Sequence, residues 1–135
     1  MAYILDADWA IQALAGRQQE IDTLTGHAQE GIAISWVTVG EIYEGALGSP
    51  DPQTHLQAFR EFLAPLVILN LNDPIMEQFA TLRTDLRRRG ELIPDFDIIL
   101  GATALYYDLT VLTHDIRHFS RIPDLKLYRA PEPRE

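Results

Sequence analysis

PDFDIILGATALYYDLTVLTHD, residues 94–115, decides the fold, because one stretch carries a helix, a short break and a buried strand in that order. Pro94 opens the segment, and thirteen residues from Asp95 to Tyr107 follow without a further proline. A run this long and apolar reads as a buried helix, with Asp95 as its cap and Asp97 two positions further in, free to point elsewhere. Thr110-Val111-Leu112-Thr113 then reads as a strand, and it ends on His114-Asp115. Helix followed by strand is the repeating half of an α/β fold.

The rest of the chain repeats that unit. Strands are expected at residues 3–5, 32–35, 67–71 and 110–113, with a fifth at 126–129. Between them, helical patterning covers residues 8–14, 17–29, 38–47, 52–63, 73–89 and 95–107. Gly48-Ser49-Pro50 stops one helix and Gly90 another, while Asp73-Pro74 supplies a cap and an N1 proline. Strands separated by one or two helices imply right-handed parallel crossovers. The fold class is therefore α/β: a three-layer α/β/α sandwich on a mostly parallel sheet of four or five strands. Residues 1–135 form one domain, with Ala130–Glu135, carrying two prolines, as a frayed tail.

Composition narrows the function. The chain has 135 residues, is 47% hydrophobic and 23% charged, and contains no cysteine, which excludes disulfides, thiolate metal centres and thiol nucleophiles. The N-terminus has no basic region and its apolar run is broken by Asp6 and Asp8, so no signal peptide is expected. No run approaches the ~20 apolar residues of a membrane span, and a cytoplasmic protein is expected. The net charge is −9, and it is uneven. Residues 1–82 set eleven acids against Arg17 and Arg60, whereas residues 83–135 balance nine acids with nine bases. Such a chain is not a general polyanion binder. A nuclease with local arginines and a bound cation stays compatible.

In open parallel sheets, ligands bind beyond the carboxyl ends of the strands, at the switch point. Acids recur there: Asp6 ends the first strand, Glu41 follows the second, Asp97 opens the helix before the fourth, and Asp115 follows the fourth. Two carboxylates ~4 Å apart at an effective dielectric near 20 repel by about 4 kcal/mol, so such a cluster holds protons or a cation. Oxygen donors without cysteine favour Mg²⁺ or Mn²⁺, and phosphodiester hydrolysis is the chemistry such ions serve. Plainer readings stand beside these. Glu41 fits a capping box with Thr38 as well as a metal role. Asp8 reads as the cap of the first helix, and Asp115 as the cap of a short one. His114 and His118 have i, i+4 spacing but lack HExxH, and solvated histidines are the simpler reading. Leu5-Asp6-Ala7-Asp8 is similar to the Asp-x-Asp strand end of haloacid-dehalogenase-like phosphatases, whose lysine would have to be Lys126. Gly101 reads as a close-packing position.

Taken in order, four segments resemble the motifs of PIN-domain ribonucleases, and most closely the VapC-type toxins of bacterial toxin–antitoxin modules. They are Ile4 to Asp8, Val37 to Ala46, Ile93 to Leu105 and Leu112 to Asp115, with His118 to Leu125 matching that group's ending. The resemblance implies a PIN-like fold, Mg²⁺- or Mn²⁺-dependent endoribonuclease activity, homodimerisation, and inhibition by a cognate VapB-like antitoxin. It carries Asp6, Glu41 and Asp97 onto the three core acids, Asp115 onto a fourth, and Thr113 onto a neighbouring hydroxyl. The family's usual Thr-Asn after the first Asp is Ala7-Asp8 here, which places an extra charge, and a candidate outer ligand, at Asp8. Arg117 and Arg121 flank the last acidic motif as candidates for RNA phosphates, with Arg87, Arg88 and Arg89 as a second set. The two rival readings are the phosphatase and a non-catalytic PIN-like binding module.

Overall fold

The computed structural model describes residues 1–130. Five strands form one parallel sheet in the order β3-β2-β1-β4-β5: β1 (Tyr3–Leu5), β2 (Ile32–Ser35), β3 (Val67–Leu69), β4 (Thr110–Leu112) and β5 (Lys126–Leu127). Tyr3 pairs with Ile32 on one side and with Thr110 on the other. Because the chain moves outward from β1 through β2 to β3, then returns to place β4 on the opposite side of β1, the switch point falls between β1 and β4.

Alternation along the strands builds two cores. Ile4, Ala33 and Val111 face one side and pack with Ile75, Leu82 and Leu86 of α5 (Asp73–Arg88) and Ile98, Leu100 and Ala104 of α6 (Asp95–Tyr107). Leu5, Ile34 and Leu112 face the other side, against Trp9 of α1 (Ala7–Leu14), Val39 and Ile42 of α3 (Trp36–Leu47), and Phe59 of α4 (Pro52–Leu63). The expected three-layer sandwich is the observed one. The helix expected at 17–29 is a shorter α2 (Gln18–Gly26) followed by a 3-10 turn, Ala28–Glu30, and the short α7 (Ile116–Phe119) follows β4. Of the expected tail, Ala130 has no regular structure and residues 131–135 lie outside the described residues.

α6 is apolar nearly all round because neighbours cover it nearly all round. Its buried Thr103 hydroxyl donates to the Ile99 carbonyl at 2.8 Å, which removes the cost of an unpaired hydroxyl. Gly101 is the expected close approach: a Cβ there would meet Ile122 Cδ1 at 2.5 Å. The contact draws the segment after β4 onto α6.

Helix starts depart from expectation in four places. Ser35 caps α3, its Oγ accepting from Val37 N at 3.2 Å, so Thr38 lies inside the helix and forms no capping box with Glu41. Asn72, not Asp73, caps α5, accepting from Ile75 N at 3.0 Å. Asp6, not Asp8, stands at the cap of α1, accepting from Ala7 N at 2.8 Å. Pro94 occupies the cap position of α6, and Asp95 instead accepts from Arg83 Nε of α5 at 2.9 Å. In each case the chain enters its helix one to three residues before the expected cap.

The Arg83–Asp95 pair is exposed, and such pairs contribute about 0–1 kcal/mol. Asp95→Ala should therefore lower stability by no more than about 1 kcal/mol in urea unfolding, and leave the neighbouring acidic site working. A loss of several kcal/mol would restore Asp95 as a structural cap.

Candidate active site

Each acid arrives by a different route. Asp6 follows β1 and is 7% exposed. Asp8 lies in the first turn of α1, with Oδ2 against the backbone just after β4. Glu41 projects from the second turn of α3, and Asp97 from the first turn of α6. Asp115 caps α7, accepting from His118 N at 3.2 Å. The elements that carry them converge at the switch point.

Thr113 ties β1 to β4 at that point. Its Oγ1 donates to Asp6 Oδ2 at 2.8 Å and accepts from Asp115 N at 2.9 Å. Asp8 Oδ2 accepts from His114 N at 3.0 Å. The backbone after β4 is thus held by two acids from the end of β1. Glu41 has no hydrogen-bond partner among the described residues, so its carboxylate is free for a ligand.

Electrostatics record the crowding. Burial, then Asp8, push Asp6 up to about 7 against Thr113 and the Ala7 N–H, which favour its charged form. Burial also raises Asp8, opposed chiefly by its bond from His114 N. Glu41 is raised by burial, then by Asp97 and Asp8. Asp97 is raised by burial, with His118 acting in the opposite sense. Asp8 Oδ1 is buried and has no hydrogen-bond partner among the described residues. A buried acceptor without a donor, beside carboxyls raised chiefly by burial and then by one another's charge at Asp6 and Glu41, suits a cation. The residues present therefore fit a divalent cation bound by oxygens.

Two histidines matter more than their spacing suggested. His118 Nδ1 lies 3.0 Å from Asp97 Oδ2 and 2.7 Å from Asp115 Oδ2. The signal was local: a helix cap and the residue three places on face each other across the first turn. His114 stacks on Trp9, with ring centroids 4.5 Å apart, and its Nε2 lies 3.3 Å from Glu20, which is nearly buried. Nothing local marks Glu20 for burial, since the apolar residues of its helix are Ile21 and Leu24.

The arginines divide. Arg121 Nη1 donates to the carbonyls of Glu91 and Leu92 at 3.2 and 3.3 Å. Arg89 pairs with Asp85 and Glu91 and donates to the Arg121 carbonyl at 2.9 Å. These two bind the loop before α6 to the segment after α7, so among the arginines expected at RNA phosphates they already have protein partners. Arg117, Arg87 and Arg88 are exposed and have no side-chain partner among the described residues.

The phosphatase reading fails on placement. Lys126 pairs with Asp108 at 2.8 Å and stands beside Thr110, at the amino end of β4, opposite the acids. A surface hollow of about 930 Å³ between α5 and α6 includes Glu77 and Asp85 but none of the clustered acids. Charge and topology, not volume, locate the site.

Comparison with known proteins identifies the family and the fold. The family model described as "PIN domain" matches residues 3–125. "Ribonuclease VapC2" of Haemophilus influenzae is 28% identical over 126 residues, spanning 93% of this chain and 96% of that protein. Among solved structures, VapBC2 from Rickettsia felis, bound to a DNA fragment from their promoter, matches with a TM-score of 0.89 at 26% identity, covering 95% of this chain and 98% of that one. A toxin-antitoxin complex from Klebsiella pneumoniae shares the fold, with a TM-score of 0.73 at 24% identity over 92% of this chain and 95% of that one.

Proposed function

Because the chain belongs to the PIN-domain family, we propose that it is a Mg²⁺- or Mn²⁺-dependent endoribonuclease, the toxin of a toxin–antitoxin pair, with residues 1–135 as one nuclease domain. The convergence of Asp6, Asp8, Glu41, Asp97 and Asp115 on the carboxyl ends of β1 and β4 carries this reading. The ribonuclease name of a relative aligned over nearly its full length supports it.

Asp6, Glu41 and Asp97 would hold the cation, directly or through water, with Asp115 beside them. Such an ion lowers the pKa of water and draws charge from a phosphoryl oxygen. Thr113 orients Asp6 by donating to Oδ2, and its oxygen fixes the Asp115 backbone. Asp8 braces the His114 backbone through Oδ2 and leaves Oδ1 as a further acceptor. Arg117, exposed and two residues beyond Asp115, is the candidate contact for an RNA phosphate.

The partner reading follows from shape and charge. Ile11 and Leu14 of α1 border a groove of about 330 Å³ with Ile42 and Ala46 of α3 and Phe59 of α4. An antitoxin segment with apolar anchors for this groove and an arginine for the acids would compete with RNA. The working form is a homodimer in the cytoplasm. Among the described residues, no helix is long and apolar enough to cross a membrane.

The test is cleavage of RNA by the purified protein. Activity should vanish in EDTA and return with Mg²⁺ or Mn²⁺. Undiminished cleavage in excess chelator would sink the metal reading, and no cleavage under any condition would favour a binding module.

Salt dependence tests the arginines. Each phosphate neutralised on single-stranded RNA contributes about −0.7 to the slope of log affinity against log salt. In an Asp97→Asn background, Arg117→Ala should flatten the slope by roughly 0.7, equally for all RNA sequences. Arg121→Ala should leave the slope alone and lower stability by about 1–2 kcal/mol through its lost carbonyl bonds. An unchanged slope for Arg117→Ala would move the RNA path to Arg87 and Arg88.

A further inference from the structure

The geometry points to His118 as a nitrogen ligand of the cation site, one that tilts the site toward Mn²⁺ over Mg²⁺. This rests on the metal-dependent reading above and extends it to a residue outside the acidic set. His118 Nδ1, Asp97 and Asp115 each present a donor atom, all within 4.8 Å of one another. Nδ1 is 3.0 Å from Asp97 Oδ2 and 2.7 Å from Asp115 Oδ2. Adjacent ligands on an octahedral ion with bonds of ~2.1 Å stand about 3.0 Å apart. The nitrogen therefore keeps the spacing of a neighbouring ligand to each carboxylate.

The position is built rather than incidental. The His118 backbone N–H occupies Asp115 Oδ1, which leaves Oδ2 for the ring side. Phe119, fully buried, anchors α7 in the core, and Ile122 packs against Gly101 of α6. The helix carrying His118 is thereby held to the helix carrying Asp97. The ring nitrogen Nε2 has no partner among the described residues, so the imidazole makes its only polar side-chain contacts with these two acids.

Mg²⁺ prefers oxygen ligands and holds its waters, whereas imidazole suits transition metals, whose affinities rise along the first row. An all-oxygen site accepts Mg²⁺ and Mn²⁺ alike. Exchanging one oxygen or water for Nδ1 separates them. The competing account is that His118 only bridges the two carboxylates through a hydrogen and swings aside when a cation enters.

The experiment uses the full chain, stripped of metal and without RNA. Pulsed EPR of the Mn²⁺-loaded protein should show a directly coordinated ¹⁴N. The coupling should persist in His114→Gln and disappear in His118→Gln. In calorimetry, His118→Gln should weaken Mn²⁺ binding by about 10–100-fold, the scale for disturbing a metal's supporting groups, and change Mg²⁺ binding far less. Mn²⁺ binding without nitrogen coupling in the unsubstituted protein would overturn the role of His118 and leave the acidic site intact. Failure to bind either ion would overturn the inference and the metal centre together.

Discussion

Asp97→Asn should abolish RNA cleavage while the protein stays folded. The expected fall is roughly 10³-fold or more, the scale for losing a main electrostatic stabiliser of a transition state. Asp97 sits in the first turn of α6, faces His118, and shares the site with Asp6, Glu41 and Asp115. Burial raises its pKa despite the opposing bond to His118, so the charge costs the metal-free fold something. Removing that charge should leave the melting temperature in EDTA equal or higher. Asp95→Ala, two residues away, is the internal control, because Asp95 points to Arg83. Single-turnover cleavage in Mg²⁺, with circular dichroism melts of both variants, separates the outcomes. Wild-type rates in Asp97→Asn would remove it from the site.

In EDTA, the protein should be more stable at pH 5 than at pH 8. Asp6 has an ordinary value of 3.8 and is pushed up to about 7 in the fold, chiefly by burial and then by Asp8. Between those values the folded chain keeps a proton that the unfolded chain has shed. Stability therefore falls as pH rises through that window, and the loss is complete above about pH 7. About three pK units correspond to about 4 kcal/mol for this buried group. Asp8, Glu41 and Asp97 are raised as well and act in the same sense. Asp6→Asn should remove most of the slope, since an amide keeps a carbonyl for Thr113 without the charge. A saturating divalent cation should do the same in the unsubstituted chain, adding about 2.7 kcal/mol at a hundred times its Kd. Urea unfolding at several pH values, with and without metal, is the measurement. Stability that is flat or rises from pH 5 to pH 8 in EDTA would mean that neither burial nor Asp8 raises Asp6 as described.

The uneven charge falls into place around this cluster. Clustered acids cost stability until a cation arrives, and such a site selects for its ligand by staying unsatisfied without it. Local arginines can then meet a polyanion although the whole chain carries −9.

Sequence alone determined the elements whose signals are short-range. The helices Pro52–Leu63 and Asp95–Tyr107 and the strands Tyr3–Leu5 and Ile32–Ser35 lie where apolar spacing, proline and glycine place them. It also placed Asp6, Thr113 and Asp115 at strand ends, and the rule for parallel sheets sent attention there. Tertiary structure decided where each acid stands and what it touches. Asp8 and Asp95 were expected as caps, and Ser35, Asn72 and Pro94 stand where Thr38, Asp73 and Asp95 were expected. Cap and ligand draw on the same short polar side chains, and the choice depends on where the chain turns out of the sheet. Packing sets that turn. The strand order, which opens the crevice between β1 and β4, and the approach of His118 to Asp97, 21 residues away, exist only once both cores have closed. Arg121 and Arg89 became braces rather than free cations for the same reason: carbonyls distant in sequence came within reach.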